Sequence, residues 1–311
     1  GLWGSGTGTL TVLRTTASNN TAPDGGGLFL QAGPTGVLNM DFSTSSGNTA
    51  TNGGGAQPEG GTMNITGSTI ASNTASTGGG VNVIATAVNS TSTIIADNTA
   101  GTGPDLNGAF ASAMFTLLEN GTDATGITNG TNGNIVGTDP LLLALANNGG
   151  PTGTHALACG SAAVDAGDPA LMGNDQRGTP VQGMARDMGA FERDAAILLN
   201  LEIQADGVST ILWELRAEGT NTLVANGGQL YPSGLAMESI CIAPGCYYLV
   251  VTDDGGDGIL NGGYVLREEA SGLRIIDNTG NFATGSVSAI SGGQGFCLPL
   301  SNDKLLFTSC D

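Results

Sequence analysis

Asn20-Thr-Ala-Pro-Asp-Gly-Gly-Gly27, Asn48-Thr-Ala-Thr-Asn-Gly-Gly-Gly55 and Asn73-Thr-Ala-Ser-Thr-Gly-Gly-Gly80 are three copies of one phrase, and Asn98-Thr-Ala opens a fourth. The asparagines stand 28, 25 and 25 residues apart, and each glycine triplet begins five residues after its asparagine. So short a period means one supersecondary unit stacked on itself. The runs before the asparagines identify the unit: Val37-Leu-Asn-Met-Asp-Phe-Ser-Thr, Thr62-Met-Asn-Ile-Thr-Gly-Ser-Thr-Ile and Val88-Asn-Ser-Thr-Ser-Thr-Ile-Ile. They alternate apolar and small polar residues and are rich in Val, Ile and Thr, which is strand patterning. Two or three short strands with tight turns make one rung of a right-handed parallel β-helix, with rungs ~4.8 Å apart. Asn20, Asn48, Asn73 and Asn98 then lie above one another at a turn, as a structural ladder of side-chain amides. The glycines supply positive φ or close backbone approach at the next corner.

Composition narrows the function classes. The 311 residues carry a net charge of −19, yet only 11% are charged, and Lys304 is the one lysine. Arg14 is the only lysine or arginine before Arg177. Such a chain cannot neutralise phosphates, so nucleic acid and anionic membranes are poor partners. No apolar run is long enough for a transmembrane segment. With Gly1 first and a rung strand at Leu10-Thr-Val-Leu, the chain reads as a fragment or an ordered part of something longer. The five cysteines are Cys159, Cys241, Cys246, Cys297 and Cys310. Clustering of the last four fits disulfides in an oxidising compartment better than zinc. Cys241–Cys246 and Cys241–Cys297 are the favoured pairings, with Cys159 left over as a small buried residue.

The period fades after Gly108, with Phe115-Thr-Leu-Leu and Asn134-Ile-Val-Gly as degenerate rungs. Rungs are therefore expected over 1–146 and a non-repeating cap over 147–194. That stretch contains Asn147-Asn-Gly-Gly-Pro-Thr, Thr154-His-Ala-Leu, Gly160-Ser-Ala-Ala-Val-Asp-Ala-Gly-Asp, Asp175-Gln-Arg-Gly and Asp187-Met-Gly-Ala-Phe-Glu192. These motifs, in this order, resemble the C-terminal signature of bacterial surface proteins of the choice-of-anchor Q type. Upstream, that family carries S-x-N-T-A and G-G-G repeats on a right-handed β-helix like that of pectin lyases. The resemblance covers roughly residues 1–192 and implies a surface anchor; Ala162, Val164 and Met188 depart from its pattern without removing a polar group.

Asp165, Asp168, Asp175, Arg177, Arg186, Asp187 and Glu192 gather most of the charge of the 147–194 stretch within 28 residues. An active site with paired carboxylates and an arginine is one reading. A loop folding back over the last rung, its charges satisfying backbone groups and each other, is the favoured one. His155, the only histidine, reads as a hydrogen-bonded structural residue. A polysaccharide lyase or hydrolase on the β-helix flank would need a basic residue or two facing carboxylates. Residues 15–150 hold no lysine, arginine or histidine, and Asp97 and Asp105 are the nearest acidic pair there.

From Ala195 the composition changes. Six strand-like runs begin near Ile197, Thr210, Ala236, Cys246, Gly263 and Leu273, with Asn226-Gly-Gly and Ala243-Pro-Gly as turns, which argues an antiparallel β-sandwich over 195–298. Thr252-Asp-Asp-Gly-Gly-Asp-Gly-Ile259 places Asp253, Asp254 and Asp257 together among glycines, the chemistry a calcium ion prefers. Trp213-Glu-Leu, Cys241-Ile-Ala-Pro-Gly-Cys-Tyr247 and this aspartate run resemble a cysteine-bearing β-sandwich module of secreted Bacteroidota proteins. Residues 299–311, containing Cys310, read as the start of a linker. The chain is thus expected to be a non-catalytic, secreted or cell-surface structural or adhesive protein. Its expected partners are glycans, other surface proteins or its own parent chain, with Ca2+ as its one expected ion. A polysaccharide-degrading enzyme and a self-assembling extracellular fibre subunit, built by homotypic stacking, are the alternatives.

Overall fold

A computed structural model describes residues 1–183, 185–194, 196–205, 207, 210–253, 259, 262–278 and 295–300. The chain divides into two compact units, Gly1–Asp194 and Ala195–Asp311. The first is a parallel β-solenoid and the second a pair of antiparallel sheets; no helix occurs among the described residues.

Each rung of the solenoid runs along three faces. The first face stacks β1 (Leu2–Gly6), β5 (Leu28–Ala32), β9 (Ala56–Glu59), β12 (Val81–Asn82) and the start of β15 (Leu106–Met114). The second stacks β2 (Thr9–Leu13), β6 (Val37–Asp41), β10 (Thr62–Thr66), β13 (Ala87–Thr91) and the rest of β15. The third stacks β3 (Thr16–Ser18), β7 (Thr44–Ser46), β11 (Thr69–Ala71), β14 (Ile94–Ala96), β16 (Leu117–Leu118) and β18 (Ile135–Val136). A short ribbon, β4 (Thr21–Asp24) and β8 (Thr49–Asn52), follows the third face, and β17 (Ala124–Thr125) pairs with β15.

Period-two alternation sends one column of each face inward. Leu28, Ala56, Val81 and Leu106 stack from the first face. Leu10, Leu38, Met63 and Val88 stack from the second. Ile70, Ile95 and Leu118 stack from the third. These columns form one apolar core. Between the second and third faces every rung turns through a left-handed residue, in succession Arg14, Phe42, Gly67, Ser92 and Phe115. A second left-handed column, Asn19, Gly47, Ser72 and Asp97, precedes the ladder asparagines. Asp97 is therefore a corner residue.

The second unit faces one four-stranded sheet with another. The first is ordered β22 (Gly234–Ile242), β19 (Ile197–Ala205), β24 (Gly263–Glu268), β25 (Arg274–Asp277). The second is ordered β21 (Leu223–Gln229), β20 (Ile211–Ala217), β23 (Gly245–Asp253), β26 (Gly295–Leu298). Leu201, Ile203 and Leu266 from one and Trp213, Leu215 and Leu249 from the other share a core. Asn226-Gly227-Gly228, expected as a turn, lies inside β21 instead. The cause is Trp213: a Cβ on Gly227 would come within 2.6 Å of the indole, so the strand opposite the ring must lack a side chain. The disulfide expectations also need correction. Cys246 bonds Cys297 across directly opposed positions of β23 and β26, which rules out both favoured pairings of Cys241. Cys159 is itself disulfide-bonded, as is Cys241, so Cys159 is not a spare apolar residue. Cys310 lies outside the described residues.

Candidate functional site

The asparagine column is a continuous hydrogen-bonded relay. Asn20 donates from its backbone N–H (3.0 Å) and its Nδ2 (2.9 Å) to Oδ1 of Asn48. Asn48 does the same to Asn73, and Asn73 to Asn98, all at 2.9–3.0 Å. Each interior amide also reaches back one rung, Asn48 to the carbonyl of Ala17, Asn73 to Ser45 and Asn98 to Ile70. One side chain thereby joins three rungs, in a core where an unpaired amide is costly. The third glycine of each triplet leaves room for it: a Cβ on Gly55 would sit 2.9 Å from Asn73 Nδ2.

The relay ends on Asp105. Counting on from the Ile94–Leu117 and Ile95–Leu118 pairs puts Gly121 opposite Asn98, so the next rung offers no side-chain acceptor. Asp105 stands where the third glycine of a fourth triplet would be, in Gly103-Pro104-Asp105, and supplies the missing oxygen. Its Oδ1 accepts from Asn98 Nδ2 at 2.9 Å, and its Oδ2 accepts from the N–H of Asn120 at 2.7 Å. Burial raises its pKa to about 6. Its place seven residues after Asn98, that of the third triplet glycine, was the sequence signal for this role.

The segment expected to close over the last rung lies along the third face instead and reaches back to the first rung. Thr16 Oγ1 donates to the carbonyl of Gly153, and Gln176 donates to Thr16 Oγ1 and accepts from Thr44 Oγ1. Ala190 N–H donates to Thr69 Oγ1, and Asp168 N–H to Ser92 Oγ. Leu157, Ala163 and Met188 pack on Ile94, Ala96 and Leu117. His155 pins the segment to the second rung. Its Nε2 lies 2.8 Å from Ser46 Oγ and its Nδ1 2.7 Å from the carbonyl of Leu143, so Nδ1–H donates and Nε2 accepts. Burial lowers its pKa.

The charged cluster holds this segment in shape. Asp175 accepts from the backbone N–H of Arg177, Thr179 and Glu192 and from Arg177 Nε. Arg177 donates onward to the carbonyls of Asn148 and Glu192 and covers the Phe191 ring, 3.8 Å from its centroid. Asp187 accepts from the N–H of Asp165 and Arg193, and Glu192 from those of Gln182 and Asp187. Arg186 approaches Glu192 at 3.9 Å and donates to the carbonyls of Leu171 and Gly173. Burial is the largest cause that raises Asp187 to about 6 and Glu192 to about 7. Asp175, Arg186, Asp187 and Glu192 are each 1–2% exposed. The two groups of a prospective acid–base pair, Asp97 and Asp105, differ likewise: Asp97 is an exposed corner and Asp105 is buried under the relay.

Two outward amide ladders were not singled out by residue in the sequence. On the second face Asn89 donates to Asn64, Asn64 to Asn39, and Asn39 to Thr11 Oγ1. On the first, Asn107 donates to Asn82, Asn82 to Gln57, and Gln57 to Glu59. Only the first of these ladders lies open, because Gln57 and Asn82 are buried. In the second unit the calcium expectation rests on Asp253, Asp254 and Asp257, whose side chains lie outside the described residues. Glu218 brings a carboxylate to Cys246 and Cys297, but those sulfurs are bonded to each other. Comparison with protein-family models, curated proteins and solved structures finds no match.

Proposed function

We propose that the protein is a non-catalytic structural and adhesive module of a secreted or cell-surface bacterial protein, whose solenoid binds neutral polysaccharide along its second face. The observation that carries this reading is the open ladder Asn39–Asn64–Asn89. It is flanked in register by Thr62 and Thr66 on β10, Thr91 on β13, and Thr9 and Thr11 on β2. In a chain of net charge −19 this face holds one carboxylate, Asp41. A repeating array of hydroxyls and amides, one rung apart, offers the same hydrogen bonds again and again to a polymer of hydroxyls, so weak contacts sum over its length. The charged cluster supports a structural role because the carboxylates of Asp175, Asp187 and Glu192 hold backbone amides and are closed to solvent. The disulfides and the resemblance to choice-of-anchor Q proteins support an extracellular setting.

Affinity electrophoresis through gels containing neutral polysaccharides tests the proposal. The chain should be retarded, and a triple variant Asn39→Ala, Asn64→Ala, Asn89→Ala with unchanged circular dichroism should not. Equal mobility of the two in every gel would sink it.

A further inference from the structure

We propose that Glu218, Cys246 and Cys297 form a zinc site that assembles when the disulfide of the second unit is reduced, so that the clasp exchanges a covalent bond for a metal ion. A carboxylate oxygen of Glu218 and the two sulfurs all lie within 4.8 Å of one another. All three residues are exposed, so an external thiol and an ion both reach them. Exposed disulfides are the ones that thiol exchange opens most readily.

The fold holds the carboxylate beside the sulfurs. The N–H of Glu218 donates to the carbonyl of Cys246 at 2.8 Å, which fixes the residue just past the end of β20. Its side chain passes over Gly295, the partner of Tyr248 on β26, where a Cβ would lie 3.4 Å from a carboxylate oxygen. Among the described residues no lysine, arginine or histidine pairs with Glu218. The thiols also stay together without their bond. β23 and β26 pair at Gly245–Leu298, Tyr247–Phe296 and Tyr248–Gly295, on either side of the cysteines. Phe296 and Leu298 are buried in the sandwich core, and the Phe296 ring lies 6.2 Å from that of Tyr247.

The exchange balances with a dithiol as the reductant. One dithiol thiolate attacks a clasp sulfur, and the second thiol resolves the mixed disulfide. Two electrons and two protons pass to Cys246 and Cys297, and the dithiol closes to its own disulfide. Zinc then displaces the two thiol protons. Two thiolates and a carboxylate carry three negative charges, of which the ion neutralises two, and three protein ligands leave one of its four positions to water. Sequence spacing conceals this site, because the cysteines stand 51 residues apart and only strand pairing joins them. The inference rests on the second unit alone and stands or falls separately from polysaccharide binding.

The test reduces the full chain with dithiothreitol, removes the reductant without air, and titrates cobalt as a coloured probe before displacing it with zinc. Three proteins are compared: the natural chain, Glu218→Gln, and the double variant Cys246→Ser, Cys297→Ser. Their remaining cysteines are the same in all three and cancel in the comparison. The reduced natural chain should take up one more equivalent of cobalt than the double variant, with the near-ultraviolet absorption of cobalt–thiolate bonds. The oxidised natural chain should lack that equivalent. Glu218→Gln, a change at an exposed position that leaves the core intact, should weaken zinc at this site about tenfold or more. Equal uptake by the natural chain and the double variant would overturn the proposal. Zinc affinity indifferent to Glu218→Gln would overturn it too, since the carboxylate would then be a bystander.

Discussion

Replacing one interior asparagine of the relay should cost far more than replacing the one at its open end. Asn73→Ala removes four side-chain hydrogen bonds: those from Nδ2 to Asn98 Oδ1 and the Ser45 carbonyl, and those into Oδ1 from Asn48 N–H and Nδ2. Asn73 is 0% exposed, so no water replaces its amide at the Asn48 N–H. Stranding that donor costs about 1–3 kcal/mol, and the other three bonds about 1 kcal/mol each, for a total of about 4–6 kcal/mol. Asn20→Ala loses one side-chain bond at a half-buried site and should cost about 1 kcal/mol. Hydrogen exchange of residues 43–55, read by mass spectrometry, resolves this region from the second unit. A loss of about 4 kcal/mol is about a thousandfold faster exchange in Asn73→Ala, against a few-fold in Asn20→Ala. Equal effects in the two variants would show that the column does not work as a relay, and the account of the solenoid would fall with it.

Three further outcomes follow from the same geometry. Asp105, with its folded pKa raised to about 6, gives stability that is full below its unfolded value and lost as pH rises through about 6. Asp105→Asn should therefore flatten the fall in solenoid unfolding midpoint between about pH 4 and 6, a range over which about 2 kcal/mol is at stake; Asp187 and Glu192 act in the same direction, and neutral His155 opposes them at the acid end. The Cys246–Cys297 clasp closes a separation of 51 residues, so the Cys246→Ser, Cys297→Ser double variant should lose about 4 kcal/mol in denaturant unfolding of the second unit; no loss would mean that β26 is held by Phe296 and Leu298 alone. Calcium at the aspartate run should raise the second unit's melting temperature, chelation should reverse it, and Asp254→Asn should abolish the response; a temperature indifferent to calcium would remove the ion from the account.

Much of the solenoid was legible because its physics is local and repeated. The spacing of Asn20, Asn48, Asn73 and Asn98 sets the rung length, and the period-two runs through Leu38, Met63 and Val88 set the inward columns. Asp105 was equally local, standing at the triplet offset, yet it read as one of several scattered acids because its role depends on what Gly121 lacks. The path of residues 147–192 was not legible. That path is decided by single bonds such as Gln176 to Thr16 and His155 to Ser46, which span 160 and 109 residues and leave no period. The Cys246–Cys297 pair was hidden for a related reason: only strand order places β26 beside β23. Asn226-Gly-Gly misled because the composition of a turn can also be the composition of a strand facing a tryptophan.

The central claim is that the solenoid holds polysaccharide without cutting it. The most direct measurement incubates the chain with a panel of neutral polysaccharides and follows both retention on the immobilised polymer and the polymer's chain length. The account predicts retention with chain length and reducing ends unchanged over days. Shortened chains or new reducing ends would contradict it, and so would passage through every column without retention.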